Sequence, residues 1–446
     1  MSLKRNILTT GFVKVFARLA IGFVSSLVLT RWLGPEGFGL YTAFMVVPGI
    51  VMSLGELGIR QSAAFMTGKK LAAENRVARA LVLLWLITSV FSFVLVLAAY
   101  YVQGMHTHGL MYMLIGISLT PAGLITRYAN GIALGKQWIS RLNIGETLLV
   151  VVRFALLAVF LIGLRSGVLG VLAVELIAAL TPGLLMLCWI RKDIKITFVP
   201  LWDRKLIYSL VTYGFRFAIA LFVLSLNYRV NILILQRFVS NSDVGQFSLG
   251  VKIAELIWMI PAAVGMVVFS HSTAAGDSRR FANTTSQIMR LTLFVCGFCG
   301  VFVGVFCEPF VKIIFGSDYL PSVPVIRMML PGCVMAVVFK VLNANLAGRG
   351  YPLAAMWVYL GSLGVNILCN FILIPLYGAI GSAVASSVSY IAGAIVYAWV
   401  YARMSDMNLM KMFYQPVKDW QTLKSTLAVL PMIQRFKRGS RRESLI

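Results

Sequence analysis

Long apolar runs, each closed by a short polar, glycine- or proline-bearing break, recur along the whole chain. A helix that crosses hydrocarbon needs roughly 20 predominantly apolar residues. The runs that qualify are 10–32, 40–66, 80–103, 110–135, 143–163 and 168–190, here spans 1 to 6. A charged interval follows, and then come 209–238, 244–270, 289–311, 323–347, 354–376 and 379–402, spans 7 to 12. Nothing alternates with the period of a barrel strand. The first run is too long for a signal-peptide core and has no small-residue cleavage site, so it counts as a span, ended by a turn at Gly34-Pro35-Glu36-Gly37. The pattern predicts an all-α integral membrane protein of about twelve transmembrane helices.

Composition removes the soluble alternative. Charged residues make up 12% of the 446 and AVILMFWYC 59%, where a soluble domain carries about a quarter charged residues. The basic residues then set the orientation. With the N-terminus inside, 26 of the 40 Lys and Arg fall on the cytoplasmic side, 4 on the outer side and 10 within spans. That positive-inside bias predicts cytoplasmic N- and C-termini. The net charge of +25 is thereby accounted for by topology, and no nucleic-acid partner is expected. In the basic tail, Trp420, Leu423, Leu427 and Leu430 stand at helical spacing. The tail reads either as a segment lying on anionic membrane lipids or as unstructured chain.

No catalytic, metal or cofactor site is legible. Cys188, Cys296, Cys299, Cys307, Cys333 and Cys369 fall in or at the ends of apolar runs. Cys296-x-x-Cys299 has no second pair and no basic neighbour. His106, His108 and His271 are scattered.

An internal repeat organises the chain. Leu29, Arg31, Trp32, Leu33, Gly39 and Tyr41 at the end of span 1 match Leu235, Arg237, Phe238, Val239, Gly245 and Phe247 at the end of span 7. Asn130, Gly135, Lys136 and Trp138 match Asn343, Gly348, Arg349 and Tyr351. Gly167-x-x-Gly170 opens span 6 as Gly378-x-x-Gly381 opens span 12. The expected domains are a six-helix bundle over 1–190, a cytoplasmic linker over 191–208, a second bundle over 209–402 and a tail over 403–446. Parallel repeats of this kind place a transporter's site between two bundles.

The stretch Thr30-Arg31-Trp32-Leu33-Gly34-Pro35-Glu36-Gly37-Phe38-Gly39-Leu40-Tyr41 resembles the N-terminal signature of polysaccharide flippases. So do Phe315-Gly316-Ser317-Asp318-Tyr319-Leu320, and Asn366-x3-Asn370-x3-Ile374-Pro375-x2-Gly378-x2-Gly381. The resemblance is to the Wzx-type branch of the multidrug/oligosaccharidyl-lipid/polysaccharide exporter superfamily and runs from about residue 5 to 402. It implies two six-helix bundles forming a V-shaped central cavity. It also implies passage of undecaprenyl-diphosphate-linked oligosaccharide to the outer leaflet of a bacterial inner membrane, for O-antigen or similar surface polysaccharide, alongside other polysaccharide-assembly membrane proteins.

Intramembrane charge points the same way independently. Lys14, Arg18, Arg60, Arg127, Arg153, Arg216, Arg229, Lys252, Arg327 and Lys340 lie within spans, against the acids Glu56, Glu146, Glu175 and Glu255. Each charge at a helix centre costs about 2.5–3.5 kcal/mol on insertion scales, so such residues face a partner or a wet cavity. Glu56 with Arg60 and Lys252 with Glu255 have i,i+4 and i,i+3 spacing. The unmatched cations suit a diphosphate. The expected substrate ligands are Arg18, Arg60, Arg216, Arg229, Lys252 and Lys340, with Lys14, Arg127 and Arg153 as further candidates; Arg327 is placed near the outer end. The four acids are the candidates for ion coupling. Asn227 and Asn231 flank Arg229, for sugar hydroxyls or for helix contact. A multidrug exporter favouring cationic drugs would want an acidic cavity. A membrane-embedded polymerase would want a structured loop bearing carboxylates or histidine.

Overall fold

The computed structural model describes residues 2–194, 199–274, 278–349, 351 and 353–414. Side chains at 2–20, 216, 217, 220, 221, 270, 273, 274, 278–280, 353, 354 and 411 lie outside that description, as does the tail beyond 414.

Among the described residues the chain is helical, with no strand, and the helices resolve into the twelve expected spans. The segment Ser2–Gly55 holds spans 1 and 2, divided at Gly34 (φ 64°, ψ 178°). The break is a single residue. Glycine reaches the left-handed region without a Cβ clash, and Pro35, whose fixed φ and missing N–H suit the first helical position, restarts the helix at once. Span 2 is interrupted again at Leu57 and Gly58, both with positive φ, and continues as Ile59–Gly68. Spans 3 to 6 are Glu74–Val102, Leu110–Gly135, Ile139–Leu157 widening into a π turn at Ala158–Gly163, and Gly167–Ile194. Span 7 is Arg204–Leu235. Span 8 runs through Asn241–Glu255, a tighter turn Leu256–Trp258, and Met259–Ala274. Spans 9 and 10 are Ser278–Ile314 and Ser322–Gly348. Leu353–Met404 holds spans 11 and 12, divided at Gly378 (φ 55°, ψ −131°).

The repeat is visible in backbone conformation. Gly167 and Gly378, counterparts in the two halves, both take positive φ, 61° and 55°. At Gly170 an added Cβ would fall 1.7 Å from Ser166 Oγ, and at Gly381 it would fall 2.1 Å from Leu373 O. Both glycines let the chain double back against the preceding helix end.

Two compact units are distinguished. The first comprises 1–253, 306–329 and 362–386; the second comprises 254–305, 330–361 and 387–446. In the first, Leu81, Leu84, Leu124, Tyr128, Met186 and Ile190 belong to one buried core drawn from spans 2, 3, 4, 6 and 7. Arg31, ending span 1, donates from Nε to Ile314 O (2.7 Å) and from Nη2 to Ile313 O (2.6 Å), open carbonyls at the end of span 9. Its counterpart Arg237, ending span 7, reaches Val102 O at the end of span 3 (3.4 Å). Each arginine closes the C-terminus of a helix in the other repeat, where carbonyls lack intrahelical partners and the helix dipole favours a cation.

The second unit is built around Asn345. Its Nδ2 donates to Thr285 Oγ1 (3.1 Å), its Oδ1 accepts from Tyr401 (3.1 Å), and its carbonyl accepts from Ser272 (2.8 Å). These bonds tie spans 8, 9, 10 and 12 together without leaving a buried amide unsatisfied.

Candidate functional site

Span 2 gathers the charge of the first unit. At about 100° per residue, Phe38, Tyr41, Gly49, Met52 and Glu56 share one face, and four of them meet a cation.

At the glutamate end, Glu56 is 1% exposed and bridges two arginines: Arg60 Nε lies 3.3 Å from Oε1, and Arg127 of span 4 contacts Oε2. The expected Glu56–Arg60 spacing is therefore used, but the stronger partner comes from another helix. One carboxylate between two guanidiniums leaves the cluster net positive, and both arginine side chains stay more than a third exposed.

Near the other end, Arg153 of span 5 donates from Nε to Glu175 Oε1 of span 6 (2.8 Å). Tyr41 donates to the same oxygen (2.8 Å) and accepts from Arg153 Nη2 (3.2 Å). This closed triangle balances its charge and braces spans 2, 5 and 6. Tyr41 also stacks on Phe38, with ring centroids 6.1 Å apart. Phe38 carries Lys252 of span 8 over its ring at 4.6 Å, a cation–π contact. Between the two ends, Arg229 of span 7 packs its guanidinium on Gly49; a Cβ added there would fall 1.8 Å from one Nη.

The other expected residues are dispersed. Lys340 stands 4.1 Å over Trp258 in the second unit, where the indole N–H donates to Cys333 O (3.0 Å). Glu255 begins the same tight turn, and Glu146 is exposed on span 5. The side chains of Lys14, Arg18 and Arg216 lie outside the described residues. The acid count also needs correction: Glu308 lies in span 9, near its end, and pairs with Arg327 at 3.5 Å. Arg290 lies in the same helix and is buried, so the intramembrane excess is unchanged by the recount.

Asn227 and Asn231 are helix contacts. They are 2% and 3% exposed. Asn231 donates to Ser386 Oγ (2.7 Å) and accepts from Asn370 (2.9 Å), while Asn366 donates to Asn227 O (3.3 Å) and Ser382 donates to Asn370 Oδ1 (2.7 Å). The asparagines quoted for the span 11 signature thus lock spans 7, 11 and 12. The residues missed from sequence are Phe38, Tyr41, Gly49 and Trp258. Tyr41 and Phe38 were legible only as parts of a repeat and a signature; their position on the Glu56 face of span 2 was the available clue.

Residues 3–269 match the family described as polysaccharide biosynthesis protein. A putative O-antigen transporter of Shigella flexneri is 21% identical over 395 residues, covering 84% of this chain and 92% of that one. A probable low-salt glycan biosynthesis flippase of Haloferax volcanii is 21% identical over 203 residues, 44% of this chain and 42% of its own. In fold, the chain is similar to the lipid II flippase MurJ in an inward closed conformation (TM-score 0.73, 14% identity, 90% of this chain and 88% of that one). It is also similar to an inward-facing multidrug resistance MATE family transporter of the MOP superfamily (TM-score 0.68, 14% identity, 89% and 99%). A twelve-span chain with the fold of the MOP transporters, matched by the family model over more than half its length, belongs to the polysaccharide biosynthesis protein family.

Proposed function

We propose that this protein is a flippase that carries undecaprenyl-diphosphate-linked oligosaccharide repeat units across a bacterial inner membrane, for surface polysaccharide. It would do so by alternating access of two six-span halves, 1–190 and 209–402, about a cationic cavity. The observation that carries the reading is the face of span 2. It meets Arg229, Lys252 and the Arg60–Glu56–Arg127 cluster, with fewer acids than cations. A diphosphate leaving the headgroup region needs such charge-assisted donors, each worth about 1.5–3 kcal/mol. The relatives named as an O-antigen transporter and a glycan flippase support the substrate class. The positive-inside bias supports cytoplasmic termini, with the linker at 191–208 inside.

Arg229, Lys252, Arg60 and Lys340 are the proposed ligands within the described side chains, and Arg18 and Arg216 complete the set from sequence. Arg127 contributes through Glu56. Arg153, neutralised by Glu175, serves the scaffold. Ion coupling, if protonation drives it, falls first to Glu56, the most buried of Glu56, Glu146, Glu175 and Glu255.

The test is complementation of a strain lacking the gene, with surface glycan normalised to membrane protein. Arg229→Ala and Lys252→Ala should abolish export at normal abundance and leave lipid-linked glycan on the cytoplasmic leaflet. Normal export by both variants would remove the cationic-cavity mechanism.

A further inference from the structure

An apolar groove lies in the first unit, away from the charged face of span 2. Spans 3, 4 and 6 enclose a groove of about 250 Å³, lined by Val82 and Trp85, by Ala129 and Ile132, and by Leu187 and Ile190. Ala129, Ile132 and Ile190 are buried, whereas Val82, Trp85 and Leu187 are partly exposed, so the groove opens along one side. The neighbouring exposed residues, Leu86, Ile87 and Val90 on span 3 and Leu184 on span 6, are apolar. That surface is suited to hydrocarbon rather than water.

The groove has its back to the intramembrane cations. On span 4, Ile125, Tyr128, Ala129 and Ile132 fall within an arc of about 100°, and Arg127 lies about 150° from its centre. Arg127 turns instead to Glu56. An occupant of the groove is therefore not the headgroup that Arg60 and Arg127 would hold.

One end of the groove is basic. Arg79 follows Ala78, Arg191 and Lys192 follow Ile190, and Lys136 lies one turn beyond Ile132. The acids at this end are engaged: Glu74 with Lys136, Asp193 with Arg141 and Asp203 with Arg76. Arg191 and Lys192 are exposed, and Arg79 donates to Val199 O. A hydrocarbon slot that ends in a positive rim matches a lipid with an apolar tail and an anionic headgroup.

We propose that this groove binds one acyl chain of an anionic phospholipid, its phosphate held by Arg79 and Arg191. The site is separate from the transport path and makes the lipid a structural ligand of spans 3, 4 and 6.

Trp85 reports on it directly. The protein is reconstituted in phosphatidylcholine vesicles with a minority of phosphatidylglycerol, and bromine is placed on the acyl chains of one lipid or the other. The Trp85 component is the difference in fluorescence between the unaltered protein and Trp85→Phe. Brominated phosphatidylglycerol should quench it with about fivefold preference over its mole fraction, the preference one well-placed basic residue confers. Arg191→Ala should bring the preference towards one. Ala129→Phe or Leu187→Phe, which fill the slot from different helices, should abolish it. Equal quenching by either brominated lipid, or a preference untouched by both filling variants, would overturn the proposal. So would displacement by a polyprenyl phosphate at a lower mole fraction than phosphatidylglycerol, because the groove would then belong to the transported chain.

Discussion

Gly39 of span 2 and Gly245 of span 8 face each other at a helix crossing. A Cβ added to Gly39 would fall 1.7 Å from Asn241 O, and one added to Gly245 would fall 2.0 Å from Pro35 O. The two are counterparts in the sequence repeat, so each backbone is received by the small residue of the other half. Membrane helices approach this closely only where side chains are absent.

Gly39→Ala and Gly245→Ala should each force the crossing apart and lower export sharply. Gly297→Ala, where nothing lies within 4 Å, should be neutral or slightly stabilising, since alanine is favoured over glycine in a helix by about 0.5–1 kcal/mol. Export per unit of membrane protein measures this, and full activity in Gly39→Ala would show that the crossing tolerates a methyl group.

The reciprocal caps of Arg31 and Arg237 make a second prediction. Arg31→Ala frees two carbonyls at the end of span 9 and Arg237→Ala one at the end of span 3. Each loss at a helix terminus is worth about 0.3–1 kcal/mol. Labelling of a cysteine placed at exposed Ser317 should speed up in Arg31→Ala and more so in the double variant. Unchanged labelling would mean the caps do not restrain these helix ends.

Glu56→Gln should reduce accumulation of the protein. A fully buried ion pair broken on one side costs about 3–5 kcal/mol; here both arginines are more than a third exposed, so the loss should be smaller. Arg127→Gln leaves Glu56 paired with Arg60 and should be milder, and adding it to Glu56→Gln should recover part of the loss. Additive effects in this cycle would show that the bridge is not coupled. If the pH dependence of export survives in Glu56→Gln, that residue is not the coupling acid.

Arg153→Ala opens the triangle with Glu175 and Tyr41 and should lower membrane abundance. Tyr41→Phe removes two hydrogen bonds but keeps the Arg153–Glu175 pair, and should be milder. A variant that keeps abundance and loses only export would return Arg153 to the substrate ligands.

The linker should stay latched in mild acid. Asp203 caps span 7 by accepting the Leu206 amide and pairs with Arg76, and both interactions hold its carboxyl below the usual aspartate range. A depressed carboxylate contributes above its unfolded pKa and is lost only as pH falls through the lower folded value. Protease accessibility of the 199–203 segment should therefore rise only below the pH at which an ordinary aspartate protonates, and in Asp203→Asn it should be high throughout.

Much of the architecture was legible in the chain because hydropathy is a local property. Twenty successive residues decide whether a helix enters hydrocarbon, and most of the twelve spans end near the ends of their apolar runs, whereas the helices of spans 1 and 9 start well before theirs, at Ser2 and Ser278. The repeat was legible for a related reason: Gly39 and Gly245 sit where no Cβ fits, and Gly167 and Gly378 sit where the backbone takes a positive φ. Charge partners were not legible in this way. Glu56 and Arg60 were suggested by spacing, yet the second arginine on Glu56 comes from span 4, 71 residues along the chain. Glu175 meets Arg153 and Tyr41 from two further helices, and Lys252 finds the ring of Phe38. Asn227 and Asn231, ambiguous in sequence, turn to spans 11 and 12.

The sequence by itself determined that this is a twelve-span membrane protein with a duplicated plan and an excess of intramembrane cations. Only the tertiary structure decided which of those cations are neutralised, as Arg153 is, and which surround a single shared carboxylate, as Arg60 and Arg127 do. The reason is physical. Partition into the bilayer is a sum over neighbouring residues, whereas an intramembrane ion pair depends on the rotation and depth of two helices that the chain brings together from far apart.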